Sequence, residues 1–395
     1  MTIADLRTPA VLVDKARALR NIDRMQSAAE ASGLRLRPHA KTHKSPVVAG
    51  WQIARGAAGI CCAKLGEAEV FADAGIEDIR IPYPLHPANA DRVVALARRV
   101  RLSFIIDHAR VARAWSRALV TAGVVVDVLV KVDVGFHRCG IHPDPATAVP
   151  FIAEVAALPG LRLKGLLSHA GQAYHATSED HLRSLAATES AILRDLATSA
   201  RKAGVAIDEL SAGATPTARF SMEQDGLTEY RAGNYVYFDR TQVALGAASL
   251  DDCALTVLAR VVSKPAASRL VLDAGSKTLS SDGARGFTPG KGYGVVLRGS
   301  VAGTGSEDPV LDIGTAGPTH KIGTSRADTD LVIERLSEEH AVVSVMSGTT
   351  DLEPGDLVRV LPNHSCVVSN LVDRAWLLDG PTVEPLPIAA RGRIA

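Results

Sequence analysis

The sequence predicts an α/β protein built as a (β/α)8 barrel of the TIM type, followed by a C-terminal all-β domain. Between residues 17 and 245, short apolar runs alternate with longer amphipathic runs. The run 124–132 is almost wholly apolar, which is typical of a strand covered on both faces in a parallel sheet. From residue 246 to residue 395, helical periodicity fades and short β-rich pieces alternate with Gly, Pro, Ser and Asp.

The first region contains eight alternations of a strand-like run with a helix-like run. The predicted strands are 34–38, 58–62, 78–82, 102–106, 125–132, 162–168, 207–211 and 233–237. The predicted helices are 15–32, 45–56, 66–74, 87–100, 109–122, 146–157, 179–203 and 218–224. Eight such units suit a closed barrel. A doubly wound open sheet is the alternative, although no glycine fingerprint for a dinucleotide follows the first strand.

The second region predicts strands and long loops. The predicted β pieces are 254–263, 268–273, 294–298, 330–334, 341–346, 356–361 and 366–371. Segment 8–13, near the N-terminus, is strand-like as well. The stretches 275–292 and 299–325 are rich in turn-forming residues, and we predict loops there.

The bulk composition is that of an ordinary globular protein, with 47% hydrophobic residues, 22% charged residues and a formal net charge of +1. Such a balance gives no support for nucleic acid or an anionic membrane as a partner. No apolar run approaches the ~18 residues of a membrane span, and no secretory signal is recognisable at the N-terminus. The five scattered cysteines favour reduced thiols and a cytoplasmic location.

The stretch RPHAKTHK at 37–44 is the clearest candidate for chemistry. It places Lys41 among other basic residues, directly after a predicted barrel strand. Catalytic groups of such barrels collect at the carboxyl ends of the strands. A lysine amine is also the group that forms a Schiff base with an aldehyde cofactor. A solvated basic loop is the alternative interpretation.

A series of motifs resembles one enzyme family along almost the whole chain. The motifs are TPAVLVD (8–14), RPHAKTHK, VDVGFHRCG (132–140), GLLSHAGQAY (165–174), SAGATPT (211–217), RAGNYVYFD (231–239), LDAGSKTLSSD (272–282) and PNHSC (362–366). In this order they resemble the fold-type III pyridoxal-phosphate (PLP) enzymes of the D-serine dehydratase and D-threonine aldolase group, which are relatives of alanine racemase. The resemblance implies that Lys41 carries PLP. It also implies that strand 8–13 joins the C-terminal domain, and that the enzyme is a homodimer.

Two loops are candidates for the PLP phosphate, which needs backbone N–H donors and small residues. The first, SAGATPT, supplies Gly213 and Thr215 after a predicted strand. The second supplies Gly233, Asn234 and Tyr235. Both follow late barrel strands, where phosphate sites of such barrels usually occur. For either loop alone, a tight turn is the simpler interpretation.

Further cofactor contacts follow from the resemblance. Arg138 matches an arginine that faces the cofactor ring in relatives, and a permanent cation there leaves the ring a weaker electron sink. His169 would orient the ring, stack on it or move a proton, while Gln172 and Tyr174 lie on the same loop. An arginine in an ion pair at the barrel rim is the alternative for Arg138.

The motif PNHSC separates the possible branches of the family. In an extended segment, His364 and Cys366 lie on the same face, where imidazole and thiolate can bind one Zn²⁺. A thiolate favours zinc over the alternatives Mn²⁺ and Mg²⁺. The aldolase branch tends to carry a carboxylate in place of the cysteine, so the chain resembles the zinc-dependent D-serine dehydratase branch more closely.

The resemblance implies a lyase that acts on D-β-hydroxy amino acids and converts D-serine or D-threonine to a 2-oxo acid and ammonia. The alternative is D-threonine or 3-hydroxy-D-aspartate aldolase activity, which yields glycine and an aldehyde. A racemase needs a second acid/base group, usually a tyrosine, and Tyr293 is the only tyrosine beyond residue 240. A non-catalytic PLP carrier generally lacks a domain like 246–395.

Overall fold

The computed structural model describes residues 2–298 and 326–395. The chain divides into two compact units. The barrel unit comprises Ile22–Tyr235 with Gly392–Ala395, and the β unit comprises Met1–Asn21 with Val236–Arg391. Within the described ranges, no helix combines the length and the hydropathy needed to cross a bilayer. The predicted loop 299–325 lies outside the described residues.

Strands and helices alternate through the first half of the chain. The strands of the described residues are β1 (Ala10–Asp14), β2 (Arg35–Leu36), β3 (Ile60–Cys61), β4 (Asp78–Pro84), β5 (Arg101–Ile106), β6 (Val126–Lys131), β7 (Leu161–Leu167), β8 (Glu209–Ala212), β9 (Glu229–Tyr230), β10 (Leu255–Ala266), β11 (Arg269–Leu272), β12 (Val295–Arg298), β13 (Arg326–Ala327), β14 (Leu331–Leu336), β15 (Ala341–Val345), β16 (Leu357–Leu361), β17 (Arg374–Asp379) and β18 (Thr382–Pro387). The helices are α1 (Lys15–Ala31), α2 (Pro46–Ile53), α3 (Leu65–Asp73), α4 (Ala90–Ala97), α5 (Ala109–Ala122), α6 (Pro145–Ala157), α7 (Glu179–Lys202), α8 (Ala218–Ser221), α9 (Arg240–Ala244), α10 (Ser276–Leu279) and α11 (Ser365–Leu371).

The longest helix, α7, shows how local sequence sets the element boundaries. Ser178 caps its N-terminus, because the Ser178 hydroxyl accepts a hydrogen bond from the His181 amide at 3.1 Å. Acidic residues occupy its first turn and basic residues its last turn, which complements the helix dipole. The prediction of a helix at 179–203 is therefore confirmed to within one residue.

The barrel sheet is parallel throughout, in the order β2-β9-β8-β7-β6-β5-β4-β3. Its two ends meet, because the Ala58 amide donates to the Leu36 carbonyl at 2.8 Å and the Cys61 amide donates to the Pro38 carbonyl at 2.7 Å. The sheet thus closes on itself, as a (β/α)8 barrel requires. The predicted fold class is confirmed, and the open-sheet alternative is wrong.

The eighth barrel strand was predicted in the wrong place. It is β9, at Glu229–Tyr230, and not 233–237. Residues Asn234–Val236 form a 3-10 helix instead. The run YVYF at 235–238 is buried, but it is buried beyond the end of the strand. An apolar run indicates burial, and periodicity alone does not decide between a strand and a short helix.

The β unit is built mainly from antiparallel strands. Its main sheet has the order β13-β12-β16-β10-β1-β17-β18. The long strand β10 pairs along its first part with β1 and β16, and along its second part with β11. Strand β1 lies between β10 and β17, and it is parallel to β17.

Two predictions for the β unit are wrong in detail. Residues 366–371 were predicted as a strand, but Ser365–Leu371 is the helix α11. The Asp239 carboxylate accepts a hydrogen bond from the Ser365 amide at 3.0 Å, which satisfies a donor of the first turn of α11. This contact comes from a distant part of the chain and leaves no local sequence signal. The predicted loop 275–292 contains one short helix, α10.

Inside the barrel, a buried carboxylate joins two arginines. Glu229 on β9 is fully buried and accepts hydrogen bonds from Arg80 and from Arg37, the latter at 2.8 Å. Arg80 also donates to Glu209 at 2.8 Å, and the Ser211 hydroxyl donates to Glu229 at 2.6 Å. Burial alone would raise the pKa of Glu229, but Arg80 and Arg37 lower it to about 2. The network links strands on different sides of the barrel interior.

We expect Glu229→Gln to destabilise the protein by about 1.5–3 kcal/mol at pH 7, because Arg37 and Arg80 lose a shared buried counter-charge and each keeps only one carboxylate partner, Asp78 and Glu209 respectively. Since the folded-state pKa of Glu229 is lowered to about 2, its contribution is present above its unfolded pKa and is lost as pH falls toward 2. Urea unfolding at pH 7 and pH 3, followed by circular dichroism, measures this loss. The control Glu223→Gln breaks an exposed ion pair with Arg183. Equal stability of the two variants at pH 7 would contradict the prediction.

Candidate functional site

Lys41 lies just beyond β2, in the 3-10 helix Ala40–Thr42. His39 caps this helix, because its Nδ1 accepts a hydrogen bond from the Lys41 amide at 3.4 Å. Lys44 is buried and pairs with the carboxylate of Glu67, while His43 is fully buried. Burial lowers the pKa of His43 to about 4, so this ring is neutral near pH 7. The segment is therefore an ordered part of the barrel, and the interpretation as a solvated basic loop is wrong.

The loop after β8 brings Gly213 and Thr215 to the same end of the barrel. Gly213 has a φ angle of 155°, and a Cβ atom there would lie 2.7 Å from the backbone of Arg231. Only glycine permits this approach. The Thr215 hydroxyl is buried and has no hydrogen-bond partner among the described residues. The Tyr230 hydroxyl donates to the Ala214 carbonyl at 2.6 Å and so ties the loop to β9.

The loop after β9 lies against the Lys41 segment. A Cβ atom on Gly233 would lie 2.8 Å from the carbonyl oxygen of His39, so the two loops touch at a position that only glycine allows. Asn234 is buried beside it. The hydroxyl of Tyr235 accepts a hydrogen bond from Gln52 at 3.0 Å, and burial raises the pKa of this hydroxyl. The Tyr235 hydroxyl therefore anchors the loop to Gln52 of α2.

Arg138 lies on the loop that follows β6, and Gln172 lies on the loop that follows β7. The exposed Arg138 guanidinium lies 5.1 Å from the centroid of the Phe136 ring. The Phe136 ring in turn packs edge to face on His169, with the centroids 6.3 Å apart. Gln172 donates to the Val134 carbonyl at 2.8 Å, which joins the two loops. Tyr174 lies two residues further on and is half-buried.

His169 connects these loops to the first phosphate candidate, because its Nδ1 lies 2.6 Å from the Gly213 carbonyl oxygen. A carbonyl only accepts hydrogen bonds, so Nδ1 carries the proton. Burial and the positive charge of Lys41 lower the pKa of His169. Burial, Lys41 and Arg231 do the same for His39. Both rings are therefore neutral near pH 7.

Sequence reasoning left Arg231 unassigned and did not consider Lys131. Arg231 is buried and donates to the Ser211 hydroxyl at 2.7 Å and to the Ser168 carbonyl. Lys131, the last residue of β6, is also buried, and burial and Arg231 lower its pKa. A sequence signal was available for Lys131, a cation at the end of the largely apolar strand β6, whereas no comparable local pattern surrounds Arg231.

In the β unit, His364 and Cys366 lie side by side, although not along an extended segment as predicted. His364 is the N-cap residue of α11, and Cys366 is in its first turn. Burial opposes a charge on His364, but Cys366, Asp239 and Asp282 together raise its pKa to about 10. Among residues 2–298 and 326–395, no three His, Cys, Asp or Glu residues converge on a metal-sized site.

The comparisons with known proteins agree with this architecture. The family "Alanine racemase, N-terminal domain" matches residues 13–241, and a serine dehydratase domain matches residues 254–378. A D-threonine aldolase from Arthrobacter sp is 32% identical over 99% of this chain and 94% of the relative. A D-threo-3-hydroxyaspartate dehydratase from Delftia sp. (strain HT23) is 34% identical over 92% of each chain.

A solved structure of a D-threo-3-hydroxyaspartate dehydratase, a cysteine-to-alanine variant in its metal-free form, matches with a TM-score of 0.87. It is 32% identical and covers 98% of each chain. The barrel, with cations gathered at the carboxyl ends of its strands, belongs to a class of enzymes whose fold and charge suit an anionic cofactor there. The chain belongs to the alanine racemase-like, fold-type III PLP family, and the resemblance stated from its motifs is confirmed.

We expect Gly213→Ala to weaken PLP binding about tenfold or more, equivalent to about 1.4 kcal/mol or more of binding free energy. The new methyl group would meet the backbone of Arg231 at 2.7 Å and displace the loop. Titration of apoprotein with PLP, followed by absorbance, measures the dissociation constant. The control Gly204→Ala also has a positive φ angle, 83°, but meets no atom within 4 Å. Unchanged PLP affinity in Gly213→Ala would show that the loop does not touch the cofactor.

Proposed function

We propose that the protein is a PLP- and zinc-dependent lyase that dehydrates and deaminates D-serine or D-threonine to a 2-oxo acid and ammonia. The observation that carries the proposal is Lys41 among neutral histidines and fixed cations, at the end of the barrel where two glycine-dependent loops meet. The alternative is retro-aldol cleavage of D-threonine or 3-hydroxy-D-aspartate to glycine and an aldehyde. Relatives of similar identity carry out both types of reaction, a dehydration and an aldol cleavage.

The residues of the barrel unit fit PLP. The cofactor carries a phosphate dianion and a phenolate, and the site offers Arg138, Arg231 and Lys131 as cations. The buried Thr215 hydroxyl still has hydrogen-bonding capacity that a phosphate oxygen satisfies. Gly213 and Gly233 leave room for close approach of the backbone to a ligand. We assign the phosphate to the loops that contain Gly213, Thr215, Gly233, Asn234 and Tyr235.

The residues of the β unit fit a divalent metal with two protein ligands. An imidazole nitrogen and a thiolate suit Zn²⁺ better than Mn²⁺ or Mg²⁺, and two ligands leave positions for water and substrate. The solved structures of a related dehydratase include a cysteine-to-alanine variant in a metal-free form and a histidine-to-alanine variant. We assign His364 and Cys366 as the ligands.

When bound, PLP supplies an electron sink for the α-carbon of the amino acid, and the metal supplies a Lewis acid for its β-hydroxyl. The Nζ atom of Lys41 holds the cofactor and then accepts the α-proton of the substrate. His169 orients the cofactor ring as a neutral imidazole with Nδ1 protonated, and Gln172 and Tyr174 line the same loop. Arg138 supplies fixed positive charge beside the ring.

We also propose that the enzyme is a homodimer located in the cytoplasm. The family resemblance supports the dimer, and the five cysteines, which form no disulfide among the described residues, support a reducing compartment. The partners of the enzyme are then small D-amino acids.

Incubation with D-threonine separates the two lyase reactions. We expect 2-oxobutanoate and ammonia, because a Lewis acid held by His364 and Cys366 would favour loss of the β-hydroxyl, which breaks the bond between Cβ and oxygen. Chromatography of the products, with and without a chelator, makes the measurement. Glycine and acetaldehyde in equal amounts would instead establish the aldolase. Parallel reactions with D-serine and D-3-hydroxyaspartate define the side-chain preference.

Two variants assign the cofactor lysine and the metal ligand separately. We expect Lys41→Ala to lose the visible absorbance of the bound cofactor. We expect Cys366→Ala to keep that absorbance but to lose metal-dependent turnover, because a thiolate ligand is missing. The controls are Lys64→Ala, which removes a cation 3.8 Å from the Tyr83 ring centroid, and the buried cysteine variant Cys253→Ala. A fully active Cys366→Ala would rule out the metal site.

A further inference from the structure

We propose that Asp282 is a positioning residue for the metal ligand His364, so that the motif LDAGSKTLSSD contributes its last residue to the metal site. The inference rests on the proposed function, because it assumes that His364 binds the metal. The Asp282 carboxylate oxygen Oδ2 lies 2.6 Å from His364 Nδ1. A carboxylate only accepts hydrogen bonds, so Nδ1 carries a proton and Nε2 is the nitrogen left to bind a metal.

Both the backbone amide and the backbone carbonyl of Asp282 form hydrogen bonds. Its amide donates to the Ser280 hydroxyl at 3.1 Å, and its carbonyl accepts from the Asn363 side chain at 2.9 Å. Asn363 is buried and immediately precedes His364, and it also donates to the Gly292 carbonyl at 3.0 Å. Two consecutive side chains of the PNHSC motif therefore contact the same aspartate, one at its backbone and one at its carboxylate.

The motif alternates between anchoring residues and candidate metal ligands. Asn363 and Ser365 are buried, whereas His364 and Cys366 are half-exposed. The Thr241 hydroxyl donates to the Asn363 carbonyl at 2.8 Å, and the Asp239 carboxylate accepts from the Ser365 amide at 3.0 Å. These contacts fix the backbone on both sides of His364. Rotation of the imidazole about its own side-chain bonds remains, and the Asp282 carboxylate restricts it.

This arrangement matches a general feature of metal sites. A histidine that binds a metal usually donates its second N–H to a carboxylate or a carbonyl, which sets the tautomer, orients the ring and makes the ligating nitrogen more basic. Two protein ligands fix the position of a metal less firmly than four do. The affinity for the metal therefore depends more strongly on the orientation of each ligand. Asp282 then acts on metal affinity through His364.

The test measures zinc affinity directly on the full-length, PLP-loaded protein. Metal is removed, and Zn²⁺ is returned in competition with a chromophoric chelator. We expect Asp282→Ala to bind Zn²⁺ about 10–100-fold more weakly, as is typical of such partners. Asp282→Asn keeps an acceptor oxygen of similar size, so we expect a smaller loss. The control Asp379→Ala removes a carboxylate of the same unit that pairs with Lys15, and we expect wild-type affinity.

Two further readouts keep the test independent of activity. PLP absorbance should be unchanged in both Asp282 variants, and with Co²⁺ in place of Zn²⁺ the thiolate-to-metal absorbance should persist while the ligand-field bands shift. Wild-type zinc affinity in Asp282→Ala, combined with loss of binding in His364→Ala, would overturn the role of Asp282 alone. Wild-type affinity in both His364→Ala and Cys366→Ala would overturn the proposed metal site together with this inference.

Discussion

The Glu229 carboxylate, shared by Arg37 and Arg80 inside the barrel, is the interaction on which the cofactor end of the barrel depends. It also accepts from the Ser211 hydroxyl, and that hydroxyl accepts from the buried Arg231 guanidinium. A continuous set of charged hydrogen bonds therefore runs from the barrel interior to the strand ends that carry the candidate loops. Removal of the central charge takes a shared counter-charge from Arg37 and Arg80, which is costly in a low-dielectric interior even though Asp78 and Glu209 remain as partners.

Burial, together with the cations of this region, explains why the histidines at the site are neutral. Burial and nearby cations lower the pKa values of His39 and His169, so both rings stay neutral and their tautomers follow from their hydrogen bonds. The positive charge at this end of the barrel is therefore carried by lysine and arginine side chains and not by the histidines. An anionic cofactor such as PLP relieves the mutual repulsion of these cations, so cofactor binding and stability of the barrel are coupled.

The sequence predicts the barrel well where strands are long and apolar, as at β5, β6 and β7. The prediction fails at β9, because this strand has only two residues, which pair with both β2 and β8. The apolar run that follows is buried beyond the end of the strand and was mistaken for it. Lys41 is identifiable because its motif is local. Arg231 is not assigned to the site from sequence, since its role depends on contacts with Ser211 and Ser168, which lie 20 and 63 residues away.

The pair His364 and Cys366 shows what a short motif does and does not encode. Its spacing was interpreted for a strand, where residues two apart share a face, but the chain turns into a helix at that point. The two side chains are still adjacent, because His364 is the non-helical N-cap residue and Cys366 is in the first turn. What the motif preserves is the alternation of buried anchoring residues with half-exposed candidate ligands. Asp239, Thr241 and Asp282 form hydrogen bonds with residues of this motif and hold it in place. None of the three is close to the motif in sequence.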